Sequence, residues 1–431
     1  MNRTYPEAFL ERMEKQLGEQ FPAFYAALQE PPKKALRVNT IKTDLNTLSD
    51  LLNLPLSPLA ENPTGAAVPN DFNPNGTPLH AAGLFYMQEA CAQAPVALLD
   101  LPEQPVVLDL CAAPGGKSAQ LAAKMRGGVL YANEIVPSRA QVLLGNLERM
   151  GITNAVVLNS EPHALCERLR ERCDAVVVDA PCAGEAMFRK DETAAAEWSP
   201  AHVEACAVRQ RAILSDAAAA VKPGGRLLYA TCSFSPQENE QTVERFSDEH
   251  PDFSCERMQR YYPHTGAGEG QFAAVLRRAG ERIPSVFTLG KSDRIPAWDA
   301  FQQELLPLSG QVRLLKDGRA LLLPPLPFEL SGVKILRAGL LLGEIQKERF
   351  TPSHALCVAG RETLFRNSVE LSFSDAMRFL RGETLPIAAE KGFGAATYRG
   401  FAIGLFKSSD GMLKNHYPKG LRLRAQASAS M

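Results

Sequence analysis

The chain has 431 residues, 45% hydrophobic and 22% charged, with a formal net charge of −1 and nine cysteines. At ~150 residues per domain it is long enough for about three domains. No apolar run reaches the ~18 residues that span a bilayer, and the near-neutral total gives no global attraction to a polyanion. An odd set of cysteines with no CxxC pair reads as reduced thiols in a cytoplasmic protein, not as a disulfide or zinc framework. The expectation is therefore a chain with no membrane segment and no metal, and it is expected to be a monomer. Cys91, Cys166, Cys173, Cys206, Cys255 and Cys357 are expected to be buried packing residues.

Residues 1–30 space Phe9, Met13, Leu17 and Phe21 at helical intervals, which predicts one or two amphipathic helices. The first residues are acidic and amphipathic and do not read as a signal peptide. A strand-like segment with basic or polar alternate positions follows at 33–42, then a Pro/Asn/Gly-rich loop at 63–78 and a helix over 83–98. From Pro105 the pattern alternates strictly. Strands are predicted at 106–111, 129–133, 155–158, 175–179, 226–230 and 271–278, with helices at 117–125, 138–150, 163–172, 201–221 and 236–249. Helices between apolar strands require right-handed crossovers and a parallel sheet covered on both faces.

The fold class is thus α/β, a doubly wound Rossmann-like domain at 101–282. An N-terminal α+β domain occupies 1–100, a linker and small α+β domain 283–385, and a β-rich module 386–431. That last stretch carries Lys391, Arg399, Lys407, Lys414, Lys419, Arg422 and Arg424 against Glu390 and Asp410, seven minus two, or +5. A polyphosphate responds to such a local patch within a Debye length.

Three motifs fall at the carboxyl ends of predicted strands, the edge where open α/β sheets bind ligands. In Asp109-Leu-Cys111-Ala112-Ala113-Pro114-Gly115-Gly116-Lys117-Ser118 the glycines allow close backbone approach to a ligand at a helix N-terminus. A phosphate-binding loop would need glycine where Cys111 stands. Glu134 follows the second strand at the separation of an acid that meets ribose hydroxyls. Asp179-Ala-Pro-Cys182 and Ala230-Thr-Cys232-Ser then bring two thiols to the same edge. Methylation of an exocyclic amine needs no thiol, because nitrogen has a lone pair. Cytosine C5 becomes nucleophilic only after a thiolate adds to C6. One thiolate to attack, one group to assist release and one acid to hold the pyrimidine edge is the minimum set, and Cys232, Cys182 and Asp179 fit it.

These motifs, with Met187-Phe188-Arg189-Lys190-Asp191, Tyr229-Ala-Thr-Cys232-Ser-Phe-Ser-Pro-Gln-Glu-Asn-Glu240, Arg37-Val-Asn39-Thr-Ile-Lys42 and Tyr86-Met-Gln88-Glu-Ala, resemble the Sun-type RNA cytosine-5 methyltransferases. The bacterial branch acting on small-subunit (16S) rRNA is the most similar. Leu413-Lys414-Asn415-His416-Tyr417-Pro-Lys419-Gly-Leu-Arg422 resembles the family's C-terminal PUA-like RNA-binding module.

The resemblance implies S-adenosylmethionine as cofactor, held against Cys111–Lys117 with Glu134 on its ribose and Asp179 nearby. It implies Cys232 as the C6 nucleophile and Cys182 as the release group. The partner it implies is 16S rRNA or the small ribosomal subunit, with another RNA such as tRNA, or a catalytically idle RNA-binding protein, as alternatives. Arg37, Asn39, Lys42, Arg189, Lys190, Lys414, Asn415, His416, Lys419 and Arg422 are the expected RNA contacts. Two departures stand out. Ala183-Gly-Glu185-Ala186 replaces a hydroxyl-bearing residue and Gly-Glu-Gly, and Asn159-Ser160-Glu161 lacks an aspartate directly after the third strand.

Overall fold

The computed structural model describes residues 4–74, 76–266, 268–360 and 363–423; Arg424 lies outside them. Two helices, Glu7–Leu17 and Phe21–Gln29, open the chain and bury Phe9, Met13, Phe24 and Leu28. This stripe packs on Phe188, Trp198 and Phe234. The helices therefore cover loops of the Rossmann-like domain.

Strand β1 (Lys34–Val38) is flanked by antiparallel β2 (Gly65–Val68) and β3 (Phe85–Met87). The expected loop at 63–78 thus contains β2, and the expected helix at 83–98 opens with β3 and is α-helical only over Ala94–Leu98. A central strand needs a hydrogen-bonding neighbour on each edge, and that long-range pairing overrides local composition.

The large sheet comprises β4 (Val106–Asp109), β5 (Val129–Asn133), β6 (Ala155–Leu158), β7 (Cys173–Asp179), β8 (Val221–Thr231), β9 (Phe253–Tyr261) and β10 (Gln271–Arg278), in the order β6-β5-β4-β7-β8-β10-β9. β6 to β8 are parallel, while β10 and β9 close one edge antiparallel. Alternate residues serve two cores. Val106, Leu108, Val176 and Val178 face one; Val107, Leu130, Ala175 and Val177 face the other. That double burial is why these strands read as continuous apolar runs.

Strand β9 escaped the sequence pattern because only Phe253 at its start is buried and the rest is exposed or half-exposed. Cys255 lies on it and is exposed, contrary to expectation. Further on, β11 (Gln311–Leu314), β12 (Arg319–Leu323), β14 (Leu340–Gln346) and β15 (Arg349–Pro352) form a separate antiparallel sheet. Between them β13 (Ile335–Ala338) crosses over to pair antiparallel with β6, where Arg337 meets Glu148 at 2.6 Å.

The last sheet, β16 (Ser368–Glu370), β17 (Gly392–Tyr398), β18 (Phe401–Ser409) and β19 (Met412–Asn415), begins well before the expected boundary at Pro386. β16 pairs parallel with β17, and the Phe373–Leu380 helix between them buries Ala376, Phe379 and Leu380. Nor is this module a free-standing attachment. Phe379, Ile403, Phe406 and Leu413 share one core with Leu36 and Phe85 of the first sheet and Leu48 of the helix Leu45–Leu52. Each such fully buried side chain contributes about 1.5–3 kcal/mol, so the two ends of the chain stabilise one another. Among the described residues no helix is long and apolar enough to cross a membrane.

Candidate active site

The turn after β4 is built by backbone constraints. Ala112 N–H donates to Asn133 O and Gly115 N–H to Ala112 O, each at 2.8 Å. The Ala113–Pro114 peptide is cis and Gly115 has φ +108°, a conformation that glycine tolerates and other residues rarely do. A Cβ on Gly115 would sit 3.1 Å from a Leu143 methyl, and one on Gly116 would sit 3.2 Å from Gln88 Nε2. The helix Gly116–Lys124 starts there.

A cavity of about 230 Å³ opens between this turn and β3, lined by Ala112, Pro114, Lys117 and Asp179 on one side and Tyr86 and Gln88 on the other. Lys117 Nζ lies 2.9 Å from Asp179 Oδ2. Beneath the turn, Asp109 is fully buried and its Oδ2 accepts from Ser118 Oγ at 2.6 Å. Its Oδ1 has no partner. Burial pushes this carboxyl up to about 7, opposed by the Ser118 hydrogen bond and assisted by Asp179. The Cys111 thiol is likewise pushed up by burial and stays neutral. At the end of β5, Glu134 is buried; one oxygen accepts from Val136 N–H at 2.9 Å and the other lies 3.4 Å from Arg139.

The two thiols converge. Strands β7 and β8 are neighbours, with Asp179 opposite Ala230, so the segments leaving them meet above the sheet. Cys182 Sγ and Cys232 Sγ are 3.1 Å apart, both half-buried and both free. The Cys182 proton is held well above the ordinary thiol range, first by the hydrogen bond with Cys232 and then by burial. The two sulfurs are within hydrogen-bonding distance, and either can be the donor.

Two buried carboxylates hold this arrangement, and sequence reasoning gave neither a role. Glu238 is fully buried and accepts from Ala183 N–H (3.0 Å), Gln210 Nε2 (2.8 Å) and Ser233 Oγ (2.5 Å). It ties the loop after β7 to the loop after β8. Glu185 accepts from Trp198 Nε1 and Phe234 N–H, each at 2.8 Å, and pairs with Arg12 at 2.8 Å. Through it the first helix braces the segment that carries Cys182. The only earlier sign was their place inside the quoted motifs, since spacing alone does not reveal which acids face inward.

Five expected RNA contacts are engaged within the protein instead. Arg37, Asn39, Lys42 and Arg189 are at most 5% exposed. Arg37 donates to Gln88, and Asn39 Nδ2 donates to Gly83 O (2.8 Å) and Met150 O (2.7 Å). Lys42 Nζ reaches Ala82 O (2.6 Å) and Val358 O (2.7 Å), and burial brings its pKa down to about 7. Arg189 Nε binds Glu269 at 2.5 Å. Asn415 Nδ2 donates to Phe379 O and Glu383 O. These polar groups join segments distant in sequence, and all but the half-buried Asn415 are shut off from solvent. Lys190, Lys414, His416 and Lys419 are exposed, while half-buried Arg422 donates to Tyr417 O. Asn159 is buried too, with its amide on Glu134 O and Ile135 O, so it shapes the loop beside the second-strand acid.

A parallel sheet with a glycine turn after its first strand, a buried acid after its second and a cavity beside the turn is the arrangement of the S-adenosylmethionine-dependent methyltransferase class. The residues fit that cofactor: the turn leaves no room for side chains, and the buried Asp109 oxygen is unsatisfied beneath it. The family model for the 16S rRNA methyltransferase RsmB/F matches residues 96–277. Models for the N-terminal domain of 16S rRNA methyltransferase RsmF, its first C-terminal domain and its PUA domain match 5–90, 300–359 and 366–423.

The ribosomal RNA small subunit methyltransferase F of Erwinia tasmaniensis is 33% identical, covering 97% of this chain and 96% of its own. That of Escherichia coli O139:H28 is 31% identical over the same shares. Among solved structures, a methyltransferase homolog from Pyrococcus horikoshii is 28% identical with a TM-score of 0.57, covering 64% of this chain and 95% of that one. NSun6 from the same organism, solved with SFG, shares the fold at 21% identity and the same TM-score, covering 64% of this chain and 99% of its own. The chain belongs to the RsmF family of ribosomal RNA small subunit methyltransferases.

Proposed function

We infer that this chain methylates C5 of a cytosine in 16S rRNA through a transient bond between Cys232 Sγ and C6 of the base. The observation that carries the reading is the pair of free thiols 3.1 Å apart at the carboxyl edge of the sheet, next to the strand that supplies Asp179. The names of the similar methyltransferases supply the RNA. The substrate is rRNA alone or within the small subunit, met in the cytoplasm by a monomer.

S-adenosylmethionine, when bound, would supply an electrophilic methyl group, the electrons of the broken S–CH3 bond staying on the departing thioether sulfur. The residues that would hold it are Cys111 to Lys117, with Glu134 toward the ribose and Asp179 at the mouth. Asp179, anchored by Lys117, also takes the amino edge of the pyrimidine. Cys232 attacks as thiolate. Its lone pair forms the S–C6 bond, the C5=C6 electrons make C5 nucleophilic, and C5 takes the methyl group.

Before attack, the Cys182 thiol stabilises the Cys232 thiolate by donating to it. Once that sulfur is bonded to carbon, the largest cause holding the Cys182 proton is gone. Cys182 then releases its proton to water and assists removal of the C5 proton. The electrons of that C–H bond re-form C5=C6, and the Cys232 thiolate leaves.

Nucleoside analysis tests this reading. 16S rRNA incubated with the protein and methyl-labelled cofactor, then digested, should carry its label in 5-methylcytidine. Label in N4-methylcytidine or in a 2′-O-methyl nucleoside would overturn the assignment.

A further inference from the structure

Arg37, Asn39 and Lys42 are buried, so basic groups around the first sheet that can meet a phosphate are to be sought elsewhere. Beside it lies a groove of about 350 Å³ whose walls include Lys33 and Lys34, Phe72, Met87 at the end of β3, Gln88 and Lys190. The three lysines are exposed, and Lys34 Nζ lies over Phe72 O at 3.1 Å. They come from segments more than 150 positions apart, and one buried carboxylate brings them together. Glu269 accepts from Lys33 N–H at 3.0 Å and binds Arg189 Nε at 2.5 Å, fixing the residue beside Lys190.

Among the described lining residues the one acid is Glu89. Its oxygens are occupied by the N–H groups of Cys91, Ala92 and Glu269, so the groove presents net positive charge. It also leads somewhere. Met87 and Gln88 line both this groove and the cavity at the glycine turn, so the two share the end of β3 as a common wall.

We propose that this groove holds the single-stranded RNA segment flanking the target base, with phosphates on Lys33, Lys34 and Lys190 and a base against Phe72 and Met87. The proposal rests on the reading of the site as an RNA methyltransferase and adds the path by which the strand enters. A charged channel with an apolar floor is the usual means of holding single strands without reading their sequence.

The test is the full-length triple variant Lys33→Gln, Lys34→Gln, Lys190→Gln. A control of equal charge loss uses the exposed Lys291, Lys316 and Lys347, each changed to Gln. Binding of a single-stranded RNA carrying a cytosine is measured between about 0.05 and 0.2 M salt, together with methylation kinetics. Losing three phosphate contacts at a slope of ~0.7 each should flatten log K against log salt by about 2 and weaken binding about 100-fold at 0.1 M salt.

The KM for RNA should rise in proportion, with kcat at saturating RNA and cofactor affinity kept within about threefold. Unchanged affinity and slope would overturn the proposal, as would an equal loss in the control. Loss confined to the assembled subunit, with naked RNA unaffected, would also overturn it by pointing to a protein partner. If the unaltered protein binds RNA through these lysines yet labels no cytosine, the methylation reading fails and the groove stands.

Discussion

The Cys182→Ala variant should stall as a covalent protein–RNA adduct. With Cys232 intact, attack on C6 and methylation of C5 proceed, but the group that assists removal of the C5 proton is gone, and the S–C6 bond cannot be expelled. Loss of such a proton-transfer group lowers turnover by about 10²–10⁴, so the adduct persists through denaturation. Denaturing electrophoresis of the variant with RNA and cofactor should show a slow, RNase-sensitive band. The band should vanish when Cys232→Ala is added. The alanine leaves only a small gap in a half-buried loop that Glu238 and Glu185 hold from either side, so the fold should persist. Normal turnover without an adduct would make Cys182 a packing residue.

The second large effect is expected from Cys232→Ala. Without a sulfur nucleophile C5 gains no electron density, and methyl transfer should fall by a factor on the order of 10⁴ or more. Cofactor binding should change by less than about twofold. The groups assigned to the cofactor lie on the turn after β4 and at the ends of β5 and β7, while Cys232 follows β8. Calorimetric titration with the cofactor alone, beside a methylation assay, separates the two. Retained methylation would remove Cys232 from the chemistry, and lost cofactor affinity would make it a structural residue.

What the sequence revealed and what it hid divide along physical lines. The parallel strands were legible because each is buried on both faces, so Val106 to Leu108 and Ala175 to Val178 appear as unbroken apolar runs. The exposed edge strand β9 was not, since its pattern after Phe253 is exposed, nor was the pairing of the crossing strand β13 with β6, since that partner lies far away in the chain. The thiols were identifiable by motif, but their approach to 3.1 Å depends on β7 and β8 being neighbours and on Glu238 joining the two loops.

The RNA contacts were the least legible. A basic residue looks the same in sequence whether it faces phosphate or donates to buried carbonyls, and Lys42 does the latter. Exposed Lys33 and Lys34, a few positions earlier, carry no stronger signal than their buried neighbours.

Covalent attack by one particular thiol is the central claim, and RNA in which the target cytosine carries fluorine at C5 tests it most directly. After attack and methylation the C5–F bond cannot lose fluorine as a proton is lost, so the unaltered enzyme itself should be trapped. Protease and nuclease digestion followed by mass spectrometry should find the modified base on the peptide containing Cys232, with Cys182 unmodified. A base attached to Cys182 would exchange the two roles, and full methylation of unmodified RNA with no trapped peptide from the fluorinated RNA would contradict the covalent mechanism.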